Sequence, residues 1–191
     1  MQTTASRILT THTGSLPRPD DLVDLLWSRE QGTAIDDARV ACVGPVAYRG
    51  QTRLQRDLAD VTEAVAGGDP AGVFLTAASP GVIALFHPNH HYPSHEAYIW
   101  ALAGAMREEY EAIHRAGFLL QIDCPDLAAG YHVGAGVMGT DEFRRVATVH
   151  ISALNHARAA IPPERMRLYL CWGNMEGKGV ETAQSATCAT T

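Results

Sequence analysis

The sequence predicts an α/β protein built as an incomplete (β/α)8 barrel, and three observations carry that expectation. Short apolar runs of strand character alternate with segments of helical period, the order that lays parallel strands side by side with helices between them. Polar clusters (His12 to Ser15, Asp123, and Tyr169 with Cys171) fall at the carboxyl ends of those runs, where such a barrel gathers its chemistry. About five β/α units can be read in the 191 residues, against the eight strands and roughly 250 residues of a closed barrel.

Arg7 to Thr11 reads as the first strand, ending in the turn His12-Thr13-Gly14-Ser15-Leu16-Pro17-Arg18-Pro19, and Asp20 to Arg29 as the helix after it. Val40 to Val43 is the next strand, closed by Gly44-Pro45. Leu54, Leu58, Val61 and Val65 then recur at helical spacing, with Gly67-Gly68 as the stop. Val73 to Thr76 is the third strand. Ser94 is the expected N-cap of a long helix, with Glu96 in its first turn and Tyr98, Leu102, Met106, Tyr110 and Ile113 on one side. Phe118 to Ile122 is the fourth strand, with Asp123 at its carboxyl end. Thr140 is expected to cap the following helix, and Ile161-Pro162-Pro163 to end it. In the fifth strand, beginning at Arg165, Met166, Leu168 and Leu170 share one face, so Tyr169 and Cys171 share the other. Residues 1–175 form the expected domain, and residues 176–191, small and polar from Gly177 onward, an expected disordered tail.

With 46% hydrophobic and 19% charged residues the composition is that of a soluble globular domain. No apolar run approaches the ~18 residues of a membrane span, and Met1 to Arg7 leads into a strand rather than a signal-peptide core, so a cytoplasmic location is expected. A formal charge of -6 without a basic cluster argues against nucleic acid as a partner. Cys42, Cys124, Cys171 and Cys188 are irregularly spaced, a pattern of free thiols or metal ligands rather than of a disulfide framework.

Two places invite metal. Tyr169 and Cys171, two apart on a strand, can bite one ion, although tyrosine is an uncommon zinc ligand. His87, His90, His91 and His95 crowd one loop, and imidazoles suit zinc, copper or nickel; Pro88 and Pro93 break helical geometry there, which favours a solvated loop. Trp100 and Trp172 are read as packing residues.

Four segments taken in order give a more specific indication: Thr11-His12-Thr13-Gly14-Ser15-Leu16-Pro17-Arg18-Pro19, Cys42-Val43-Gly44-Pro45-Val46, Leu120-Gln121-Ile122-Asp123-Cys124-Pro125-Asp126-Leu127, and Leu168-Tyr169-Leu170-Cys171-Trp172-Gly173-Asn174. Together they resemble the catalytic, TIM-type barrel of the cobalamin-independent methionine synthase family. The resemblance implies zinc-dependent methyl transfer from a methylated folate to the thiol of homocysteine. Trp172-Gly173-Asn174 is also similar to the branch that includes epoxyalkane:coenzyme M transferases, which alkylate another thiol. Zinc lowers a thiol's pKa and so supplies thiolate at neutral pH. By the same resemblance Cys171 is a zinc ligand and Asp123 the catalytic-site carboxylate that binds the substrate's amino group. Backbone amides around Thr13, Gly14 and Ser15 would hold its carboxylate.

The departures are as specific as the matches. Tyr169 stands where the family carries histidine, and the family's further glutamate and cysteine ligands lie beyond the Cys171 segment. Glu176 and Cys188 are the nearest substitutes. Between Ile35 and Val40 a barrel portion with a substrate-contacting acidic segment is missing. The chain therefore reads as an internally shortened, C-terminally truncated relative. Three function classes follow: a thiol S-methyltransferase, a thiol- or folate-binding module without chemistry, and an inactive fragment that needs a second copy or a complementing chain.

Overall fold

In the computed structural model, the described residues are 24, 27, 28, 31–33, 41–128 and 139–171. Their order is α1 (Gln51–Ala64), β1 (Phe74–Ala78), α2 (Pro80–Phe86), α3 (His95–Arg115), β2 (Leu119–Asp123), α4 (Thr140–Ala157) and β3 (Met166–Tyr169), with 3-10 turns at Pro70–Gly72, Pro125–Leu127 and Pro163–Arg165. The strands form one parallel sheet in sequence order, β1-β2-β3.

The register pairs Ala77 with Ile122 and Ala78 with Asp123 across β1 and β2. Across β2 and β3, Ile122 pairs with Leu168 and Asp123 with Tyr169. Alternation along each strand then divides the sheet into two faces. One carries Leu75, Ala77, Leu120, Ile122 and Met166, which join Ile99, Ala103, Met106, Tyr110 and Ile113 of α3 and Ala153 and Leu154 of α4 in the core. The other carries Phe74, Thr76, Gln121, Asp123, Arg167 and Tyr169, half-buried or exposed. On it the Arg167 guanidinium lies over the Phe74 ring, 3.9 Å from its centroid.

The helices end where the chain's chemistry stops them. Val65 caps α1, and Gly67 follows at φ 83°, a conformation that glycine adopts without a Cβ penalty. Ser94 caps α3 through its side chain, which accepts from the Ala97 amide, with Glu96 in the first turn and His114 and Arg115 in the last, the charge order the helix dipole favours. For α4 the N-cap is Gly139, with no side-chain cap bond, and Thr140 is the first helical residue rather than the cap. The sequence reading passed over α2. Its Ser79 cap accepts from the Val82 amide and Pro80 occupies the first turn, where a missing N–H costs nothing.

The expected incomplete (β/α)8 barrel of about five β/α units is corrected by this sheet: three parallel strands, not closed, among the described residues. Ala41 to Val43, the described part of the expected Val40 to Val43 strand, form no strand. Cys42 makes a single parallel bridge to Asn89, its amide donating to Pro88 O at 2.8 Å and its carbonyl accepting from His90 N at 2.9 Å. Pro45, lacking an N–H, cannot extend that ladder. The expected strand at Arg7 to Thr11, nearly all of the Asp20 to Arg29 helix and the expected tail at 176–191 lie outside the described residues. Among the described residues no helix is long and apolar enough to cross a membrane.

Candidate functional site

The carboxyl ends of β2 and β3 bring together Asp123, Tyr169 and Cys171. Parallel pairing puts Asp123 directly opposite Tyr169, and the Cys124 amide, donating to Tyr169 O at 2.8 Å, holds the two strand ends in step. On the exposed face Gln121 Nε2 donates to Asp123 Oδ1 at 3.0 Å. Tyr169 is 49% exposed as a residue, and the neighbouring Cys171 side chain, with a lesser effect of the nearby Asp123 carboxylate, raises its pKa. The site is thus an open polar patch with a carboxylate, a phenol and a thiol on adjacent strand ends.

Zinc sites need three or four ligands from His, Cys, Asp and Glu. Among the described residues no group of three or more such side chains stands together to hold a metal ion. Cys171 is the one described thiol at the site, and with Tyr169 beside it the described donors do not make up a zinc cage. Glu176 and Cys188 lie outside the described residues, as do Trp172, His12 and the expected carboxylate-binding turn Thr13, Gly14 and Ser15. The loop histidines do not assemble a metal site either: Asn89 Oδ1 accepts from the amides of His91 and Tyr92 at 3.1 and 2.7 Å, which sets the turn, while His95 turns to α4. Trp100 packs edge-on against His156 at 5.2 Å between centroids.

Behind the patch is a buried polar chain that the sequence reading missed. Ser79 Oγ donates to Asp126 Oδ1 at 2.6 Å, Asp126 Oδ2 lies 2.9 Å from His150 Nδ1, and His150 Nε2 lies 2.8 Å from His95 Nε2. Ser79, Asp126 and His150 are 2%, 5% and 7% exposed. The carboxylate sits between serine and histidine, so the histidine cannot take the serine's proton, and this is not the order of a nucleophilic triad. It is a fully bonded joint that ties α2 to the turn after β2 and to α4. The Ser79 amide also donates to Asp123 O at 3.0 Å, so the joint fixes the strand end that carries Asp123. Two signals could have found it: Ser79-Pro80 as a helix start, and His150 in phase with Ala153, Leu154 and Ala157 on the buried face of α4.

Cys124, next to Asp123, is no second nucleophile. Burial, the Asp126 charge and the Asp123 charge push its thiol up to about 12, against an opposing effect of the nearby Ser79 that is smaller than that of Asp126. At pH 8 a thiol of that pKa is roughly 0.01% thiolate. Iodoacetamide at pH 8 is therefore expected to modify half-buried Cys171 in the native protein and Cys124 only after unfolding; mass spectrometry of labelled peptides reads the order, and native labelling of Cys124 contradicts it.

A cleft of about 400 Å³ lies between α1 and α3 and is lined by Gln55, Leu58, Thr62, Ala112 and Arg115. It is away from Asp123 and Cys171, and its lining brings no acid–base or nucleophilic pair together, so chemistry rather than volume selects the strand-end patch. In comparisons with known proteins, no family model, curated protein or solved structure matches the chain.

Proposed function

We propose that this chain is a homocysteine S-methyltransferase-like protein of the cobalamin-independent methionine synthase type, whose core activity is to bind an amino-acid thiol at the carboxyl ends of β2 and β3. The observation that carries the reading is the register of those strands, Asp123 opposite Tyr169 and two residues from Cys171 across the ladder. In this reading the Asp123 carboxylate takes the substrate ammonium in a charge-assisted hydrogen bond. Gln121, bonded to Oδ1, orients that carboxylate and leaves Oδ2 to the ligand. The half-exposed face gives a small polar molecule access without opening the core.

Zinc at Cys171 belongs to the same proposal, and when bound it would hold the substrate thiol as thiolate. Its further ligands would come from outside the described residues. The shortage of described ligands favours a second reading in which the chain binds the thiol without transferring a methyl group; methylated folate as donor and coenzyme M as an alternative thiol are open within the first reading.

Metal analysis of the purified, untagged chain after dialysis against zinc tests the proposal. One zinc per chain, lost in Cys171→Ala, supports the transferase reading, and methyl transfer from methylated folate to homocysteine is then expected. Thiol binding without zinc in either protein supports the binding-only reading. Neither zinc nor thiol binding overturns both.

A further inference from the structure

His95, the first residue of α3, and His150, in the middle of α4, meet through their Nε2 atoms at 2.8 Å. Their ring centroids are 5.1 Å apart with planes at 38°, the separation of two imidazoles pointing at each other end to end. That is hydrogen-bond geometry, and it needs one proton between the two nitrogens. The interior of the chain decides where that proton sits. Asp126 Oδ2 accepts from His150 Nδ1, so in the neutral ring His150 Nε2 is a bare acceptor and His95 Nε2 must be the donor.

We propose that His95 and His150 form an acid-sensitive clasp, holding the start of α3 and the 87–94 loop against α4 while one proton is shared between the rings, and opening when both rings become charged. The steps balance proton by proton. A first proton enters at His95 Nδ1, and the His95 Nε2 proton can pass to His150 Nε2, placing the positive charge beside Asp126; the contact survives. A second proton leaves N–H groups facing each other across the contact, two like charges with no acceptor between them, and exposed His95 swings away. His150 stays with Asp126. What is released is the loop whose Asn89 bridges to Cys42.

Among the described residues, one line of polar groups backs His95. His150 comes from α4, Asp126 from the 3-10 turn stands behind it, and α2 contributes the Ser79 hydroxyl through its cap. The fold also reserves the space, since a Cβ at Gly81 of α2 would overlap Asp126 Oδ2 and His150 Nδ1. Burial, and next the His150 charge, lower the His95 pKa from the ordinary 6.5. A base whose folded pKa is depressed binds its proton more readily unfolded. The clasp's stabilisation is therefore complete above the unfolded value of 6.5 and is lost as pH falls through the folded value.

Imidazole NMR titrations of the full chain, wild type, His95→Gln and His150→Gln, test the clasp. The expected results are a wild-type His95 titrating below 6.5 and a return toward that ordinary value in His150→Gln. Amide exchange in 87–95 should lose protection on acidification in wild type and be insensitive to that step in His95→Gln. If His150→Gln does not fold, the exposed His95→Gln protein still decides the matter. Loop protection that responds to acid alike in wild type and His95→Gln overturns the clasp, whatever the fate of the thiol site.

Discussion

Replacing Gly81 with alanine should destabilise the protein by about 3 kcal/mol, because the new methyl group must enter the space held by Asp126 and His150. Two effects oppose each other. Alanine is the better helix former by about 1 kcal/mol, and Gly81 lies within α2. Against that, the overlapped atoms belong to a buried carboxylate and a buried imidazole. Moving either one breaks a bond in the Ser79–Asp126–His150 chain, and a buried charge that loses its partner costs about 3 to 5 kcal/mol. The polar penalty wins. Urea unfolding of the Gly81→Ala protein measures it, and stability equal to or above wild type would show that the joint is not closed as described.

The second large effect is expected at Ile122. It is fully buried at the centre of β2, with Ala77 and Leu168 as register partners on either side. Ile122→Ala removes apolar surface and leaves a cavity between the sheet and α3, at a cost of about 2 to 5 kcal/mol. Leu168, its neighbour on β3, is 51% exposed, so Leu168→Ala should change stability by no more than about 0.5 kcal/mol. The contrast tests where the core ends: equal losses at the two positions would mean that β3 is covered as well as β2.

These two positions also show how far the sequence could be read. The β2 run was legible because Leu120 and Ile122 alternate with Gln121 and Asp123, and the structure buries the first pair under α3 and leaves the second half-buried. In β3 the same alternation places Met166, Leu168 and Leu170 on one face, yet Leu168 and Leu170 are 51% and 40% exposed. Period fixes which side chains share a face, whereas burial depends on whether another element arrives to cover it. The described part of the expected Val40 to Val43 strand, Ala41 to Val43, forms no strand for a related reason: strand propensity is local, and a strand needs a partner edge. Beyond Cys42 the chain offers Gly44 and Pro45, and the pairing stops at one bridge.

At the site, Asp123 and Cys171 could be placed at strand ends by pattern alone, and their adjacency follows from the β2–β3 register. The buried joint was less visible. Ser79, Asp126, His150 and His95 are far apart in sequence, and each alone has an ordinary role as cap, turn residue, core-facing helix residue or surface histidine. Only the packing of α2, α3 and α4 over the sheet makes them a chain.

If Asp123 and Cys171 form the proposed receptor for an amino-acid thiol, calorimetric titration of L-homocysteine into wild type and Asp123→Asn will show it. Wild type is expected to bind, and Asp123→Asn to bind roughly 10-fold to 100-fold more weakly, the loss expected for one hydrogen bond to a charged group. A homocysteine analogue lacking the amino group should bind the two proteins alike. Equal affinity of both proteins for homocysteine, or no binding by wild type, would contradict the claim.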